Sequence, residues 1–325
     1  MYRMIRNKTF ESGKEYGKYN IVIDGTRFQK AHYEVSPEWL SQTKDGKTTW
    51  YIGTLDMKLV ANNMCVPIMN EFMKNEDIEE ENINGTEERK KQDCELKAAK
   101  RLIEKFKKHY PRLPIRIIAD SLYPCASMIK LCEENKIEYI FVLKDKKLPS
   151  ITKEFLTLVS DKNSNRKLVE EKSKITYTMW ENQIDYNGNM VNVIRQITRD
   201  KKTKRDSVWM WIMNKKVTEN NIDGIIKCAK KRDYIENQGF REQKVISGIN
   251  LEHIYSKNIN AIFVIYILMQ LSHLILQIIE HSKIVDDFKK VYGSIKVFCK
   301  KIYAKITESI LNLEFIDRKI QIRYI

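Results

Sequence analysis

The sequence predicts an α/β protein in which short buried strands alternate with helices. Three apolar runs, at 20–23, 115–119 and 139–143, have the length of buried strands. Segments with helical spacing of apolar residues, at 93–110 and 124–135, precede the second and the third run. Because parallel strands must be joined by a crossover connection, this alternation predicts parallel strands in an α/β core.

The region between the first run and the first helix is predicted to contain two more strands, at 49–55 and 65–69. The dipeptide Asp24-Gly25 directly follows the first apolar run, and Asp-Gly is typical of a turn. Residues 75–89 are acidic, rich in Asn and without periodicity, which predicts a surface loop.

Residues 144–206 are predicted to form an inserted β-rich subdomain. Apolar and β-branched residues at 175–180 and 191–198 flank Asn187-Gly188-Asn189, which is typical of a β-hairpin. The insertion carries 15 Lys and Arg residues against nine Asp and Glu residues, a net charge of +6. We therefore expect it to line a channel for DNA.

The chain then returns to a buried strand at 208–213 and is predicted to be helical from Thr218 onward. The apolar segment 261–279 contains Gln, Ser and His side chains, which favour a buried helix over one that spans a membrane.

Four regions follow from these patterns. They are a polar N-terminal tail (1–18), a catalytic core (19–143 plus 207–245), the β-rich insertion (144–206) and a helical C-terminal region (246–325).

The charge of the chain indicates a polyanionic partner. There are 58 Lys and Arg residues against 43 Asp and Glu residues, which gives a formal net charge of +15. A basic surface binds nucleic acid by neutralising phosphates and releasing counterions. The alternative is a charge that serves only solubility, so the charge alone leaves the partner open.

Several classes of function are not expected. The six cysteines form no CxxC pair and have irregular spacings, which predicts no zinc site and no disulfide framework. The N-terminus lacks the apolar core of a signal peptide, and a reducing cytosol suits the free thiols. The sequence contains no Gly-rich phosphate loop, so no nucleotide cofactor is expected.

The candidate chemistry lies on acidic residues at strand ends. Asp24 and Asp120 each end an apolar run, and ligands of open α/β sheets bind outside the carboxyl ends of the strands. The alternative is a pair of solvated strand terminators. Arg232 and Glu236 are four residues apart and would share one face of a helix, which also fits a surface ion pair. Other acids near the core, Asp56, Asp93 and Glu95, are not expected to be ligands.

Taken together, these segments resemble the DDE-type insertion-sequence transposases of bacteria. The resemblance rests on the strings QDCELKAAKRL, LPIRIIADSLYP, YIFVLKDKKLPS and IENQGFREQKVISGINLEHIYS. It runs from about Asn20 to the C-terminal IQIR, with the motifs in the family's order.

The resemblance implies an RNase H-like mixed sheet flanked by helices, with the β-rich insertion before the last catalytic residue. It implies that Asp24, Asp120 and Glu236 are catalytic and hold two Mg²⁺ or Mn²⁺ ions. Carboxylates suit these hard cations, and two such ions can activate water and stabilise the leaving oxygen of a phosphodiester.

The resemblance also implies contacts to DNA. The family signature Y-(2)-R-(3)-E-(6)-K is matched at Arg232 and Glu236, while Ala229 stands at the Tyr position and Lys244 comes one residue after the Lys position. DNA contacts are expected from Arg232, Lys244, Lys144 and Trp180, the last by stacking on a base drawn out of the duplex. The alternative for Trp180 is a core side chain of a small β-sheet.

The expected activity is metal-dependent strand cleavage and strand transfer of an insertion element. The expected partners are the element ends and the target DNA, with a homodimer in the DNA complex and no membrane. The location is the bacterial cytoplasm, at the nucleoid. The family's usual N-terminal DNA-binding region is expected to be lacking, since 23 residues precede Asp24. The alternatives are an RNase H-fold nuclease without strand transfer, or a catalytically inactive DNA-binding remnant of a transposase.

Overall fold

The protein is a mixed α/β structure with a large mixed β-sheet flanked by helices, which confirms the predicted α/β class. The computed structural model describes most of the chain. The described residues are 2–36, 38–73, 87–144, 147–161, 164–246, 249–281, 291–293 and 295–308.

The contacts divide the chain into two compact units. The first unit comprises Met1–Gly13, Gly25–Glu80 and Tyr234–Ile325, and the second comprises Lys14–Asp24 and Glu81–Asp233. Strand β1 (Tyr19–Ala31) contributes its first residues to the second unit and its remaining residues to the first.

The second unit contains the predicted parallel strands. Strand β1 pairs with β5 (Ile115–Ala119), and β5 pairs with β6 (Glu138–Val142), both in parallel. Helices α2 (Glu87–His109) and α3 (Ala126–Glu134) precede β5 and β6 and supply crossover connections. Both helices fall on the segments for which the sequence predicts helical spacing.

The same sheet continues in the second unit with antiparallel strands. Strand β10 pairs with β6, and the order then runs through β9 and β8 to β7. The 144–206 range also contains a helix, α4, which contacts β8. These elements are β7 (Arg166–Glu170), β8 (Lys174–Tyr186), β9 (Asn189–Asp200), β10 (Asp206–Met213) and α4 (Pro149–Val159). Helix α5 (Ile222–Ala229) follows β10.

The hairpin predicted at Asn187-Gly188 is confirmed. Strands β8 and β9 are joined by these two residues, and both have positive φ, 52° for Asn187 and 79° for Gly188. A two-residue hairpin loop needs this conformation to match the twist of its strands, and Asn-Gly is the sequence that adopts it at least cost.

The strands that lie wholly in the first unit form two successive hairpins. Strand β3 pairs antiparallel with β2 and with β4, and it contains the predicted strand 49–55. The connecting dipeptides, Asp45-Gly46 and Asn62-Asn63, all have positive φ. The strands are β2 (Leu40–Lys44), β3 (Lys47–Ala61) and β4 (Met64–Phe72).

The turn predicted at Asp24-Gly25 is wrong, because β1 runs through both residues to Ala31. Neither residue has the positive φ that a tight turn of this type requires. Phe28, further along the strand, is fully buried, and β1 is paired with β3 in the sheet. Burial and strand pairing therefore decide the conformation, and the dipeptide does not.

The remaining described elements of the first unit are helical. Helix α6 (Ile259–Glu280) packs through Ile262 and Tyr266 into an apolar cluster that includes Phe28 and Trp39. Helix α7 is Ile295–Glu308. Within the predicted C-terminal helical region, residues 247–248, 282–290, 294 and 309–325 lie outside the described part of the chain.

Two sequence predictions concern segments that precede these elements. The predicted polar tail contains a short helix, α1 (Tyr2–Arg6), and a 3₁₀ turn at Glu11–Gly13, and Phe10 between them is fully buried. One aromatic side chain is thus enough to anchor this polar stretch in the core. Residues 75–86 of the predicted surface loop lie outside the described residues, and 87–89 begin α2.

Helix α6 is long and apolar enough to cross a membrane by length and composition. A third of its most apolar 18-residue window is buried inside the protein. A core helix of a soluble protein meets the same criterion, so this property is weak evidence for a membrane.

Candidate functional site

Asp24 and Asp120 lie at the same level of two neighbouring parallel strands. The last registered pair of β1 and β5 is Val22 with Ile118, and each aspartate lies two residues further along its strand direction. Neighbouring strands are about 4.8 Å apart, and residues two apart on a strand share a face. The register therefore brings two half-buried aspartates side by side at the level where β5 ends, while β1 continues past Asp24.

The turn after β5 fixes the orientation of Asp120. Its Oδ1 accepts a hydrogen bond from the backbone N–H of Leu122 at 2.8 Å. Its backbone carbonyl accepts from the N–H of Tyr123 at 3.3 Å. An aspartate that bonds to the backbone two residues later stabilises a turn of its own, which explains why β5 ends here.

Arg232 lies beside Asp24. Its Nη2 is 3.6 Å from Oδ2 of Asp24, and its Nη1 is 3.9 Å from Oδ1 of Asp233. The side chains of Arg232 and Asp24 are both mostly buried, at 19% and 13% exposure. The guanidinium group therefore places positive charge next to a carboxylate that neighbours a second carboxylate.

Tyr123 brings a third carboxylate to this region. Its ring is fully buried, and its hydroxyl donates a hydrogen bond to Oε1 of Glu95 on α2 at 3.1 Å. Burial raises the pKa of Tyr123 well above 10.0, and the carboxylates of Glu95, Asp24 and Asp120 raise it further. All three acids are thus close enough to act on one hydroxyl, which stays protonated.

Tyr123 is not among the site residues predicted from the sequence, and Glu95 was not expected to be a ligand. Glu95 could have been recognised from its position on the apolar face of α2. The residues one and two turns further, Ala98, Ala99 and Leu102, are all fully buried. An acid on an apolar helix face needs a specific partner, and here that partner is the Tyr123 hydroxyl.

Glu236 belongs to the first unit and is exposed. It lies in a π-helical segment, Ile235–Phe240, which follows a 3₁₀ turn at Lys230–Arg232. Arg232 and Glu236 therefore do not lie on one regular α-helix, as the sequence predicted, because the helical form changes from 3₁₀ to π between them.

Lys244 takes part in a chain of ion pairs in the first unit. Its Nζ is 2.9 Å from Oε1 of Glu252, which is also 2.7 Å from Nζ of Lys30. Burial raises the pKa of Glu252, but the two lysines outweigh this effect and hold it below its ordinary value of 4.5. Lys244 is thus ion-paired with a carboxylate of its own unit.

Asp56 is a structural residue of the first unit. It is buried, accepts a hydrogen bond from the Tyr266 hydroxyl at 2.6 Å and lies 3.4 Å from Nζ of Lys58. Its two carboxylate oxygens thus face Tyr266 and Lys58. The side chain of Asp93 lies outside the described part of the chain.

The aromatic residues of the second unit differ in exposure. Trp180 on β8 is 5% exposed and pairs with Ile194 of β9, so its ring lies in the core. Trp209 on β10 is 41% exposed, and its ring lies parallel to that of Trp211 at 6.0 Å. The buried strand predicted at 208–213 is confirmed for Met210–Met213. Val208 and Trp209, at its beginning, are exposed. Lys144, directly after β6, is exposed.

The donor atoms at Asp24 and Asp120 fit a hard divalent cation. Mg²⁺ prefers oxygen ligands and is usually held by one or two carboxylates together with water and substrate phosphates. Among the residues that the structure describes, no group of three or more His, Cys, Asp or Glu side chains is arranged to hold a metal ion. Asp24 and Asp120 are thus two neighbouring carboxylates, one fewer than such a group requires.

Comparison with known proteins adds no assignment. No protein-family model matches the chain, and no curated protein matches it.

Proposed function

We propose that the chain is the catalytic part of a DDE-type DNA transposase, with an RNase H-like fold, that cleaves DNA and transfers strands. The observation that carries the proposal is the register of β1 and β5, which brings Asp24 and Asp120 side by side at the level where β5 ends. The resemblance of the sequence motifs supports the choice of this family, and the basic charge supports nucleic acid as the substrate.

Asp24 and Asp120 would hold Mg²⁺ or Mn²⁺, with Glu236 as the third acid. When bound, these ions supply an activated water and charge stabilisation for the leaving oxygen. The side chains of the protein would bind and orient the DNA. Arg232, beside Asp24, would hold a phosphate of the DNA, because a guanidinium group matches phosphate geometry. The same site would then accept a DNA 3′-hydroxyl as the nucleophile for strand transfer.

The irregular helical segment supports the assignment of Lys244. A π turn contains one residue more than an α turn, and π-helical residues lie between Glu236 and Lys244. One extra residue compensates for the displacement of Lys244 from the family's Lys position. Gln243, which stands at that position in the sequence, is fully buried and donates to Gln270.

The decisive experiment is nicking of supercoiled plasmid in Mn²⁺. Asp24→Asn, Asp120→Asn and Glu236→Gln keep the shape of each side chain and remove its charge. We expect each to reduce nicking to background while DNA binding in a gel-shift assay survives. Glu134→Gln is the matched control, because Glu134 is exposed and forms an ion pair with Lys130 at 3.8 Å, of a type that contributes little.

The outcomes separate the three candidate functions. A transposase joins a pre-cut 3′ end to target DNA, whereas a nuclease of the same fold nicks without joining. A DNA-binding remnant shifts DNA and never nicks it. If Glu236→Gln nicks like the parent chain while both aspartate variants fail, the third acid is another residue.

A further inference from the structure

We propose that Tyr123 is a positioning residue of the candidate site, whose hydroxyl, bonded to Glu95 on α2, fixes the turn that carries Asp120. The inference rests on the proposed function, since it assigns a role in holding Asp120 ready for a divalent cation. It concerns contacts within the second unit only.

The first step is the geometry of the turn. Asp120 and Tyr123 are its two ends, joined by the bond from the Tyr123 N–H to the Asp120 carbonyl. The Asp120 carboxylate is bonded to Leu122 in the middle of the same turn. Any rotation of the backbone at Tyr123 therefore moves the Asp120 carboxylate with it.

The second step is the anchoring of Tyr123. Its fully buried ring lies 6.2 Å from the ring of Phe141 on β6, so packing fixes the position of the ring. The hydroxyl at the end of the ring reaches Glu95 at 3.1 Å. The turn is thus connected to the crossover helix by a directional contact as well as by packing.

The third step is the chemistry of the surroundings. Ionised carboxylates only accept hydrogen bonds, so Glu95, Asp24 and Asp120 cannot bond to one another. A hydroxyl can donate to one of them, and that of Tyr123 donates to Glu95 at 3.1 Å. The Tyr123 hydroxyl therefore supplies the donor that a cluster of carboxylates lacks.

A matched control exists on the neighbouring strand. Tyr139 of β6 is also fully buried, and its ring lies 4.8 Å from that of Phe141. Its hydroxyl is buried without a hydrogen-bond partner among the described residues. Tyr123→Phe and Tyr139→Phe thus remove the same atom from similar packing, and only Tyr123→Phe removes a contact near the aspartates.

The experiment measures Mn²⁺ affinity by calorimetry on the full chain, together with thermal unfolding in the absence of metal. We expect Tyr123→Phe to weaken Mn²⁺ binding roughly 10- to 100-fold, which is typical when a partner of a ligand is lost. Tyr139→Phe should bind Mn²⁺ like the parent chain, and DNA binding should be unchanged in both. The Mn²⁺ concentration for half-maximal nicking should rise in parallel with the dissociation constant.

A second variant separates positioning from direct ligation. Glu95→Gln keeps an oxygen that accepts from the Tyr123 hydroxyl but removes the charge, so we expect Mn²⁺ affinity within about 3-fold of the parent chain, well short of the loss typical of a ligand partner. Should Tyr123→Phe fail to fold, Glu95→Leu breaks the same contact from α2 and should show the same loss.

Three results would overturn the inference. Tyr123→Phe could bind Mn²⁺ and nick like Tyr139→Phe, or Glu95→Gln alone could abolish binding, which would make Glu95 a ligand. If the parent chain neither binds Mn²⁺ nor nicks DNA, the proposed function fails as well. That case is recognised from the parent chain before any variant is compared.

Discussion

Arg232 and the two aspartates show how single residues prepare a charged site. Carboxylates at the same level of neighbouring strands repel each other, and this repulsion disfavours the ionised pair. The guanidinium group 3.6 Å from Asp24 offsets part of that repulsion before any cation is present. A divalent cation or a DNA phosphate would then meet a site in which charges are already arranged.

A buried arginine elsewhere in the second unit supports the strands that carry these aspartates. Arg116 on β5 is fully buried and bonds to Glu138 of β6 and, at 2.9 Å, to Asn20 of β1. Removing one partner of a buried ion pair leaves an uncompensated charge. We expect Arg116→Met to lower the free energy of unfolding by about 3–5 kcal/mol. Urea unfolding measures this, with the exposed Lys130→Met as control, and a loss equal to the control would contradict it.

The two tryptophans of the antiparallel strands predict opposite phenotypes. Trp180→Ala removes a core side chain and should cost about 3–5 kcal/mol of stability. Trp209→Ala removes a ring that is 41% exposed, so it should fold normally and weaken binding of single-stranded DNA by about 1–3 kcal/mol through lost stacking. Fluorescence anisotropy with a labelled oligonucleotide measures the second effect. If Trp209→Ala binds the oligonucleotide with unchanged affinity, Trp209 does not stack on a base.

At the scale of elements, a network of buried polar groups joins the irregular helical segment to its neighbours in the first unit. Nζ of Lys58 on β3 donates to Gln243 at 3.0 Å and lies 4.8 Å from the ring centre of Phe240. On α6, His273 contacts Glu242 at 2.9 Å. These contacts hold the segment that contains Glu236 and Lys244 within the first unit.

The network predicts acid sensitivity. Burial lowers the pKa of His273 below 6.5, although its hydrogen bond to the Glu242 carboxylate raises the pKa. The charge of Lys58 lowers this pKa and the charge of Asp56 raises it. The folded state thus prefers the neutral ring, and the unfolded chain takes up a proton at higher pH. Stability is therefore complete above pH 6.5 and falls as the pH drops below it.

We expect the free energy of unfolding to fall by up to about 1.4 kcal/mol per pH unit below that point as one additional proton is bound on unfolding. His273→Gln keeps a polar side chain and removes the titration, so its profile should be flatter between about pH 5 and pH 7.5. Urea unfolding across this range compares the two chains. Parallel profiles would show that protonation of His273 does not cause the loss of stability at low pH.

The predictability of these elements follows from the range of the interactions that fix them. The hairpin at Asn187-Gly188 is predictable because two adjacent residues determine its φ values. The conformation at Asp24-Gly25 could not be predicted from the dipeptide, because pairing with a distant strand keeps β1 extended. The adjacency of Asp24 and Asp120 follows from the βαβ pattern. The contacts of Tyr123 with Glu95, and of Arg232 with Asp24, depend on helix positions that no local pattern specifies.

At the scale of the whole molecule, charge is the property that the sequence determines most directly. The chain carries a net charge of +15, and the 144–206 range accounts for +6 of it. Part of this charge is compensated locally, as where Arg199 contacts Asp206 at 2.8 Å and Lys201 contacts Glu170 at 2.7 Å. The uncompensated remainder is available to phosphates, and it acts on any nucleic acid regardless of sequence.

Binding to duplex DNA should therefore fall steeply with salt and depend little on sequence. The logarithm of the association constant falls with the logarithm of salt concentration, with a slope of about −0.9 for each phosphate neutralised. Changing one lysine that contacts a phosphate should reduce the slope by about one unit for all sequences alike. Lys144→Gln tests this at an exposed residue of the second unit, with Lys130→Gln, also exposed, as the control. Anisotropy titrations at several salt concentrations give the slopes. Tight binding to one sequence that resists salt would show that base contacts, and not the charge of the chain, govern recognition.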